Sequence, residues 1–352
     1  FLNFGVVGDS VGAAEYAPVV RIKQNKQGCN YLPGFTVNPP LTPAGLGAAV
    51  AARPGHLWII GNEPDRGPNP GECVKGAQDD TQPEVYARAY YQVYQYIKRF
   101  DPTARIANAG LVQVTPGRLQ YLDKVWNAYR TLYGGDMPVD VWNMHLYILP
   151  EVDAQGQPNG IAGVAVGTDP ALGIRESGNE PNKCADAGVY CWAEHDNMTE
   201  FAKQVIAMRT WMKAHGQQNK PLILSEYSIL YPYEIDAPGQ CFLRDEFGNC
   251  FTPERVRNFM NASIDYLDTA ADPSLGYARD GNRLIQRWLW FSVYSGGVGS
   301  ASNLLNASIT TLTLPGQTLQ TRGNAASRYI NLFPAATFGF ATRGATPLSP
   351  AV

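Results

Sequence analysis

Leu57-Trp58-Ile59-Ile60-Gly61-Asn62-Glu63-Pro64-Asp65 is the stretch on which the fold turns. Four apolar residues in a row, two of them β-branched, predict a strand buried on both faces, and Gly-Asn-Glu-Pro ends it abruptly. Glu63 is thereby delivered to the C-terminal end of a buried strand. Far downstream, Pro221-Leu222-Ile223-Leu224 repeats the arrangement, with Ser225-Glu226-Tyr227 at its end. Two separate parallel strands would bring two acids to one rim.

Working outward, residues 4–7, 19–23 and 35–37 read as three strands ahead of this stretch, and residues 105–110, 139–148, 221–227 and 284–294 as four after it. The link between the first two is too short for a helix. Helices are announced by Thr42-Pro43, Thr115-Pro116 and Thr252-Pro253, each a cap residue followed by Pro at the first helical position. Thr81-Gln82-Pro83-Glu84 has the form of a capping box, opening a helix to about Phe100 with Tyr86, Tyr90, Val93 and Ile97 on one face. A helix carrying Phe201, Val205, Met208 and Met212 leads into the strand of Glu226, and residues 316–332 supply the last one. Eight strand candidates alternating with helices predict an α/β fold, a (β/α)8 TIM barrel with long βα-loop insertions at 149–197 and 230–251. A doubly wound sheet is the competitor, but no strand runs into GxGxxG or a P-loop, and Gly296-Gly297-Val298-Gly299 matches poorly. The barrel domain spans 1–332, and the Pro/Thr/Ala-rich residues 333–352 form a tail or linker.

At 352 residues, 45% hydrophobic and 17% charged, the chain can bury a large core. A net charge of −3 without any Lys/Arg-rich run gives nucleic acid no electrostatic footprint, and a neutral partner fits better. No apolar run approaches the roughly 18 residues of a spanning helix. The chain starts at Phe1 without the basic start of a signal peptide, so an export signal is expected to have been removed already.

Six cysteines are present. Proximity in sequence pairs Cys184 with Cys191 and Cys241 with Cys250, leaving Cys29 with Cys73 to tie the segments flanking Glu63, although six cysteines allow fifteen connectivities. Free thiols and a zinc site remain alternatives, the latter without a CxxC and with the four histidines scattered. Disulfides imply an oxidising compartment, so an extracellular or cell-surface location is expected.

Gly61-Asn62-Glu63-Pro64 on the fourth strand, His145-Leu146-Tyr147 on the sixth, Ser225-Glu226-Tyr227 on the seventh and Trp290 on the eighth together resemble the clan A glycoside hydrolases, a superfamily of (β/α)8-barrel retaining glycosidases. The resemblance implies Glu63 as general acid/base, Glu226 as nucleophile, Asn62 on the sugar 2-hydroxyl, Tyr147 hydrogen-bonded to Glu226, Trp290 as the floor under the sugar, and Arg21 near the nucleophile. It implies a carbohydrate substrate, no cofactor and no metal. Chemistry agrees: a retaining glycosidase needs two carboxyl groups roughly 5–5.5 Å apart, one to attack the anomeric carbon and one to protonate the leaving oxygen. Glu63 is expected to be protonated by burial beside Glu226, with Arg21 and Tyr147 keeping Glu226 ionised.

Bland alternatives stand beside these roles. His145 is either a sugar ligand or a satisfied core histidine, and Trp290 with Trp288 either a platform or packing. Asp79-Asp80 and His195-Asp196-Asn197 either meet substrate hydroxyls or calcium, or cap the helices that follow. A carbohydrate-binding or surface-assembly protein without turnover, and a transglycosylase, are the competing functions.

Overall fold

Strand β3 (Leu57–Ile60) is buried along its whole length, Leu57 and Ile59 packing on one face of the sheet and Trp58 and Ile60 on the other. The computed structural model describes residues 1–8, 15–184, 186–230, 241, 243–296 and 302–325. On either side of β3 run β1 (Val19–Gln27) and β4 (Arg105–Asn108), both parallel to it. A second ladder joins β5 (Trp142–Leu146), β8 (Leu222–Tyr227) and β9 (Arg287–Trp290), again all parallel. The parallel bridge Ala107↔Val141 connects the two sets, so six strands follow one another in the order β1-β3-β4-β5-β8-β9. The result is a mixed α/β fold.

The apolar alternation of these strands separates two layers. Val19, Leu57, Ile59, Ala107, Val141 and Ile223 form one buried cluster on the inner face. The outer face meets α2 (Pro83–Phe100), α3 (Pro116–Tyr133), α4 (Met198–Ala214) and α5 (Pro253–Thr269) in a much larger core. A short turn at Pro43–Gly47 continues into α1 (Ala48–Ala51), and α6 (Leu314–Ala325) packs on α5. Thr42, Asn197 and Thr252 each accept a backbone N–H at a helix start, as their residue types favour. The capping box expected at Thr81 does not form. Gln82 is the cap residue of α2, and the Thr81 hydroxyl donates instead to the Asp79 carbonyl.

Two of the eight expected strands are corrected. Residues 35–37 belong to β2 (Asn30–Asn38), which pairs antiparallel with β1 in the register Ile22↔Val37 and Gln24↔Phe35. Gly28, at φ 58°, occupies the first central position of the two-residue turn between them, where a type II′ hairpin takes glycine. The mixed Lys/Gln/Asn composition around this turn carries no apolar period, so the hairpin was hidden in the sequence. Residues 4–7 form a bent segment rather than a strand. It lies between β1 and the end of β9, since Gly5 accepts the Val19 N–H at 2.8 Å and the Phe4 ring meets Phe291 at 6.2 Å. Among the described residues no ladder joins β9 to β1. The tail expected at 333–352, the end of the expected last helix and residues 231–240 of the second insertion lie outside the described residues.

The cysteines are bonded as proximity implied, Cys29 to Cys73, Cys184 to Cys191 and Cys241 to Cys250. The first of these ties the β1-β2 turn to the loop that follows Glu63. The 149–197 insertion carries a short parallel pair, β6 (Arg175–Glu176) and β7 (Val189–Tyr190).

Arg118, in the first turn of α3 and fully buried, anchors the loops above the strand ends. It pairs with Asp65 and, at 2.9 Å, with Glu151, and donates to the Ala162 and Gly163 carbonyls. Glu151 also accepts from Gln113, Thr115 and the Ile174 N–H. One guanidinium therefore joins the loops after β3, β4 and β5. Removing a single partner of a buried ion pair leaves unpaired charge in a low dielectric, at a cost of about 3–5 kcal/mol. Arg118→Met should lose about that much in denaturant unfolding; a loss under about 1 kcal/mol would mean that the network contributes little.

Candidate active site

Beyond Ile60 the chain leaves the strand through two left-handed residues, Gly61 at φ 93° and Glu63 at φ 45°. A glutamate in that region is uncommon and is held only where its surroundings determine it. Here the Glu63 N–H donates to the Gly110 carbonyl at 3.0 Å, and the Asn62 N–H to Asp79 Oδ2 at 2.7 Å. A β-carbon on Gly61 would lie 3.0–3.3 Å from Tyr86, Ala109 and Asp79, tighter than ordinary contact, and the positive φ disfavours one in any case.

His145 and Tyr147 reach the same side by simple alternation along β5 and beyond. Glu226 does not. Counting from Ile223 on the inner face, alternation would point Ser225 inward and Glu226 toward the helices. The register shows why it fails: Met144 pairs with Leu224 but His145 with Glu226, so β8 carries one extra residue. This bulge resets the phase, as bulges beside functional sites do. Glu226 comes level with His145, while Tyr227 packs against Phe201 and Phe259 of the helix layer.

The three buried side chains meet. His145 Nδ1 lies 3.0 Å from Glu63 Oε1 and 3.7 Å from Glu226 Oε2, and the Tyr147 hydroxyl donates to Glu226 Oε1 at 2.7 Å. One carboxylate oxygen of each glutamate and one imidazole nitrogen lie within 4.8 Å of one another. Strands β3 and β8 are separated by β4 and β5, roughly 14 Å in a flat sheet at about 4.8 Å per strand. Their carboxylates meet because the sheet curls.

The other sequence-derived residues fall into place less evenly. Asn62 is buried next to Glu63. Arg21 turns its guanidinium to Asp79 Oδ1 and the Ala77 carbonyl, both at 2.6 Å, and reaches Glu226 only through its charge. Trp290 is not brought to the glutamates. It pairs with Tyr227, its ring lying 5.1 Å from the tyrosine and 6.2 Å from Phe259, and its indole N–H donates to the Ser302 carbonyl. Trp288 faces the same helix layer and donates to Asp268. Since Phe291 continues the ladder by donating to the Tyr227 carbonyl, alternation makes Phe291 the inward aromatic at this end.

Asp79, expected either to meet substrate hydroxyls or calcium or to cap a helix, holds Arg21 and the backbone N–H groups of Ile22 and Asn62. Asp80 pairs with Lys26 and accepts from Tyr31. His195 bonds the Ile148 carbonyl and the Leu230 N–H, Asp196 pairs with Arg255, and Asn197 caps α4. All five are consumed by structure.

Burial and His145 shift the two glutamates in opposite directions. Burial pushes Glu226 up to about 7, with the Glu63 charge adding to it and His145 and the Tyr147 hydroxyl opposing. Burial also pushes Glu63 up, but the hydrogen bond and charge of His145 outweigh it and hold Glu63 below its ordinary value. Burial lowers His145, which the charges of Glu226 and Glu63 more than offset, leaving it raised. The imidazole lies closer to Glu63 than to Glu226 and its charge favours the ionised form of both.

No protein-family model and no curated protein matches the chain. Among solved structures it is similar to a GH128 (subgroup II) endo-β-1,3-glucanase of Sorangium cellulosum, with 15% identity over 90% of this chain and 87% of that one, at a TM-score of 0.45. It is also similar to a glucosidase of Croceicoccus marinus (12% identity, 79% of this chain, TM-score 0.40) and to Cel44A, a family 44 endoglucanase of Clostridium thermocellum (15%, 67%, TM-score 0.30). The chain spans 42% of the length of each of these last two.

Proposed function

We propose that this chain is an exported retaining glycoside hydrolase of the clan A type, its curled parallel sheet forming a TIM-type barrel, acting on a poly- or oligosaccharide. The observation that carries the reading is the pair of buried carboxylates approaching within 4.8 Å. An inverting enzyme keeps its carboxyl groups about 6.5–9.5 Å apart to admit a water, whereas a retaining one needs about 5–5.5 Å. Three disulfides support export.

Glu226 is the nucleophile. The Tyr147 hydroxyl fixes one of its oxygens and leaves the other to attack the anomeric carbon. Glu63 is the acid: it protonates the leaving oxygen as the glycosyl ester of Glu226 forms. It then removes a proton from the water that cleaves that ester, restoring both carboxyl groups. For this Glu63 must carry the proton and Glu226 the charge. His145, beside both carboxylates, stabilises whichever is ionised. Asn62 lies next to the acid, where a sugar 2-hydroxyl is expected.

Glu63→Gln should lose about 10²–10⁴-fold in kcat/KM on natural glycans but little in kcat/KM on an aryl glycoside whose leaving group needs no proton, while kcat falls on both because ester hydrolysis has lost its base. Glu226→Gly should lose hydrolysis altogether and, given azide, form a glycosyl azide of inverted configuration, because only one displacement remains. A wild-type rate in Glu226→Gly, or an azide product of retained configuration, would remove Glu226 from the nucleophile's role.

The raised carboxyl group also sets a pH dependence. A group that holds its proton longer in the folded than in the unfolded chain favours folding below its unfolded pKa, and that contribution is lost as pH rises through the folded value. For Glu226 the window runs from 4.5 to about 7. Glu226→Gln, neutral at every pH, should therefore melt higher than the parent at pH 8 and indistinguishably from it near pH 4.5. Equal melting temperatures at pH 8 would contradict the burial cost assigned to this carboxylate.

A further inference from the structure

Gly110 follows β4 and sits between the strand of Glu63 and the strand of His145. Its carbonyl accepts the Glu63 N–H at 3.0 Å, and the adjoining Leu111 carbonyl accepts the His145 N–H at 3.2 Å. A β-carbon built on Gly110 would fall 2.2 Å from His145 Cδ2, 2.4 Å from Nε2 and 2.9 Å from Cγ. Those separations lie far inside van der Waals contact. The atoms approached belong to a rigid ring on a buried strand, not to the free end of a flexible chain, so the ring itself would have to move. Gly110 is not among the residues of positive φ, so space, not backbone conformation, excludes a side chain there. The edge of the ring that meets Gly110 is opposite the one that faces the acids. Any displacement away from residue 110 therefore alters the 3.0 Å contact with Glu63 and the 3.7 Å approach to Glu226.

We propose that Gly110 is a positioning residue for the site: the missing side chain is what lets the His145 imidazole seat with Nδ1 toward both carboxylates. Gly110 touches no substrate and acts only through His145 and, by its carbonyl, through the Glu63 backbone. The kinetic consequence rests on the glycosidase reading above; the placement of the ring does not. A displacement of about 1 Å in such a group costs about 100-fold in rate, and the loss should fall on the step in which Glu63 gives up its proton.

The test compares the parent with Gly110→Ala, His145→Ala and the double variant. Gly110→Ala should reduce kcat/KM about 100-fold on a glycoside with a poor leaving group and spare kcat/KM on a dinitrophenyl glycoside. In the His145→Ala background the same substitution should cost nothing further in rate or melting temperature, since the ring it strikes is gone. Titration of the four histidines by imidazole NMR should show the raised His145 pKa fall in Gly110→Ala. Wild-type kcat/KM and an unmoved His145 titration in Gly110→Ala would overturn the proposal, as would an equal cost in the two backgrounds. If Gly110→Ala does not fold, a folded double variant supports the proposal and an unfolded one refutes it. Should the parent cleave no glycoside at all, the enzymatic reading fails by itself, and the titration and the melting temperatures still decide the role of Gly110.

Discussion

Two mostly buried carboxylates with an oxygen of each within 4.8 Å of the other are not both ionised without a cation between them. His145 supplies it. Its nitrogen lies between Glu63 and Glu226, and the hydroxyl of Tyr147 satisfies the remaining side of Glu226. The three residues come from the ends of β3, β5 and β8, which are not all neighbours in the sheet. The site therefore requires a curled sheet, and the curl depends in turn on the small inner cluster of Val19, Leu57, Ile59, Ala107, Val141 and Ile223. Aliphatic side chains fill the inside of the curve, while tryptophans, tyrosines and phenylalanines fill the wider space outside it.

Residues whose neighbours are local were legible in the sequence. The buried runs at Leu57 and Leu222, the Pro that begins α3 or α5, and the nearest-neighbour cysteine pairs follow from short-range chemistry, and the structure contains them. The meeting of Tyr147 with Glu226 followed from the resemblance, and alternation along β5 delivers it. What the sequence concealed depends on long-range packing. A bulge at Ser225 leaves no composition signal, because either phase of Ser-Glu-Tyr is chemically plausible until Tyr227 is seen against Phe201 and Phe259. Trp290 on β9 pairs with Tyr227 and so shares its outward direction, which its own sequence does not reveal. The electrostatic balance between the two glutamates is likewise absent from the sequence, since it depends on where the His145 ring sits between them.

Around the site the chain spends its buried charges on fastening loops. Arg118 joins three of them, Asp79 joins the base of the β1-β2 hairpin to Asn62, and the Cys29–Cys73 bond fixes the tip of that hairpin to the loop beyond Glu63. Burial pushes Asp79 up to about 6 against the charge of Arg21, so this fastening, like the glutamates, is held at an electrostatic cost. Such costs are tolerated because the larger apolar core, in which helices α2 to α5 cover the outer face, does not depend on them.

The left-handed backbone of Glu63 unites these observations. Were residues 61–63 to continue as regular strand, the glutamate would take whichever face alternation gave it, and its position would vary with every twist of β3. Leaving the strand through Gly61 instead places Glu63 by bonds to fixed neighbours, its own N–H on Gly110 and the N–H of Asn62 on Asp79. Glu226 is placed by another device, a bulge that re-aims one side chain while keeping Leu224 and Tyr227 in the core. In both cases the backbone departs from ideal geometry within two residues of an acid. Both departures serve the same end, because regular strands on a curled sheet would not by themselves bring two glutamates of non-adjacent strands onto one imidazole.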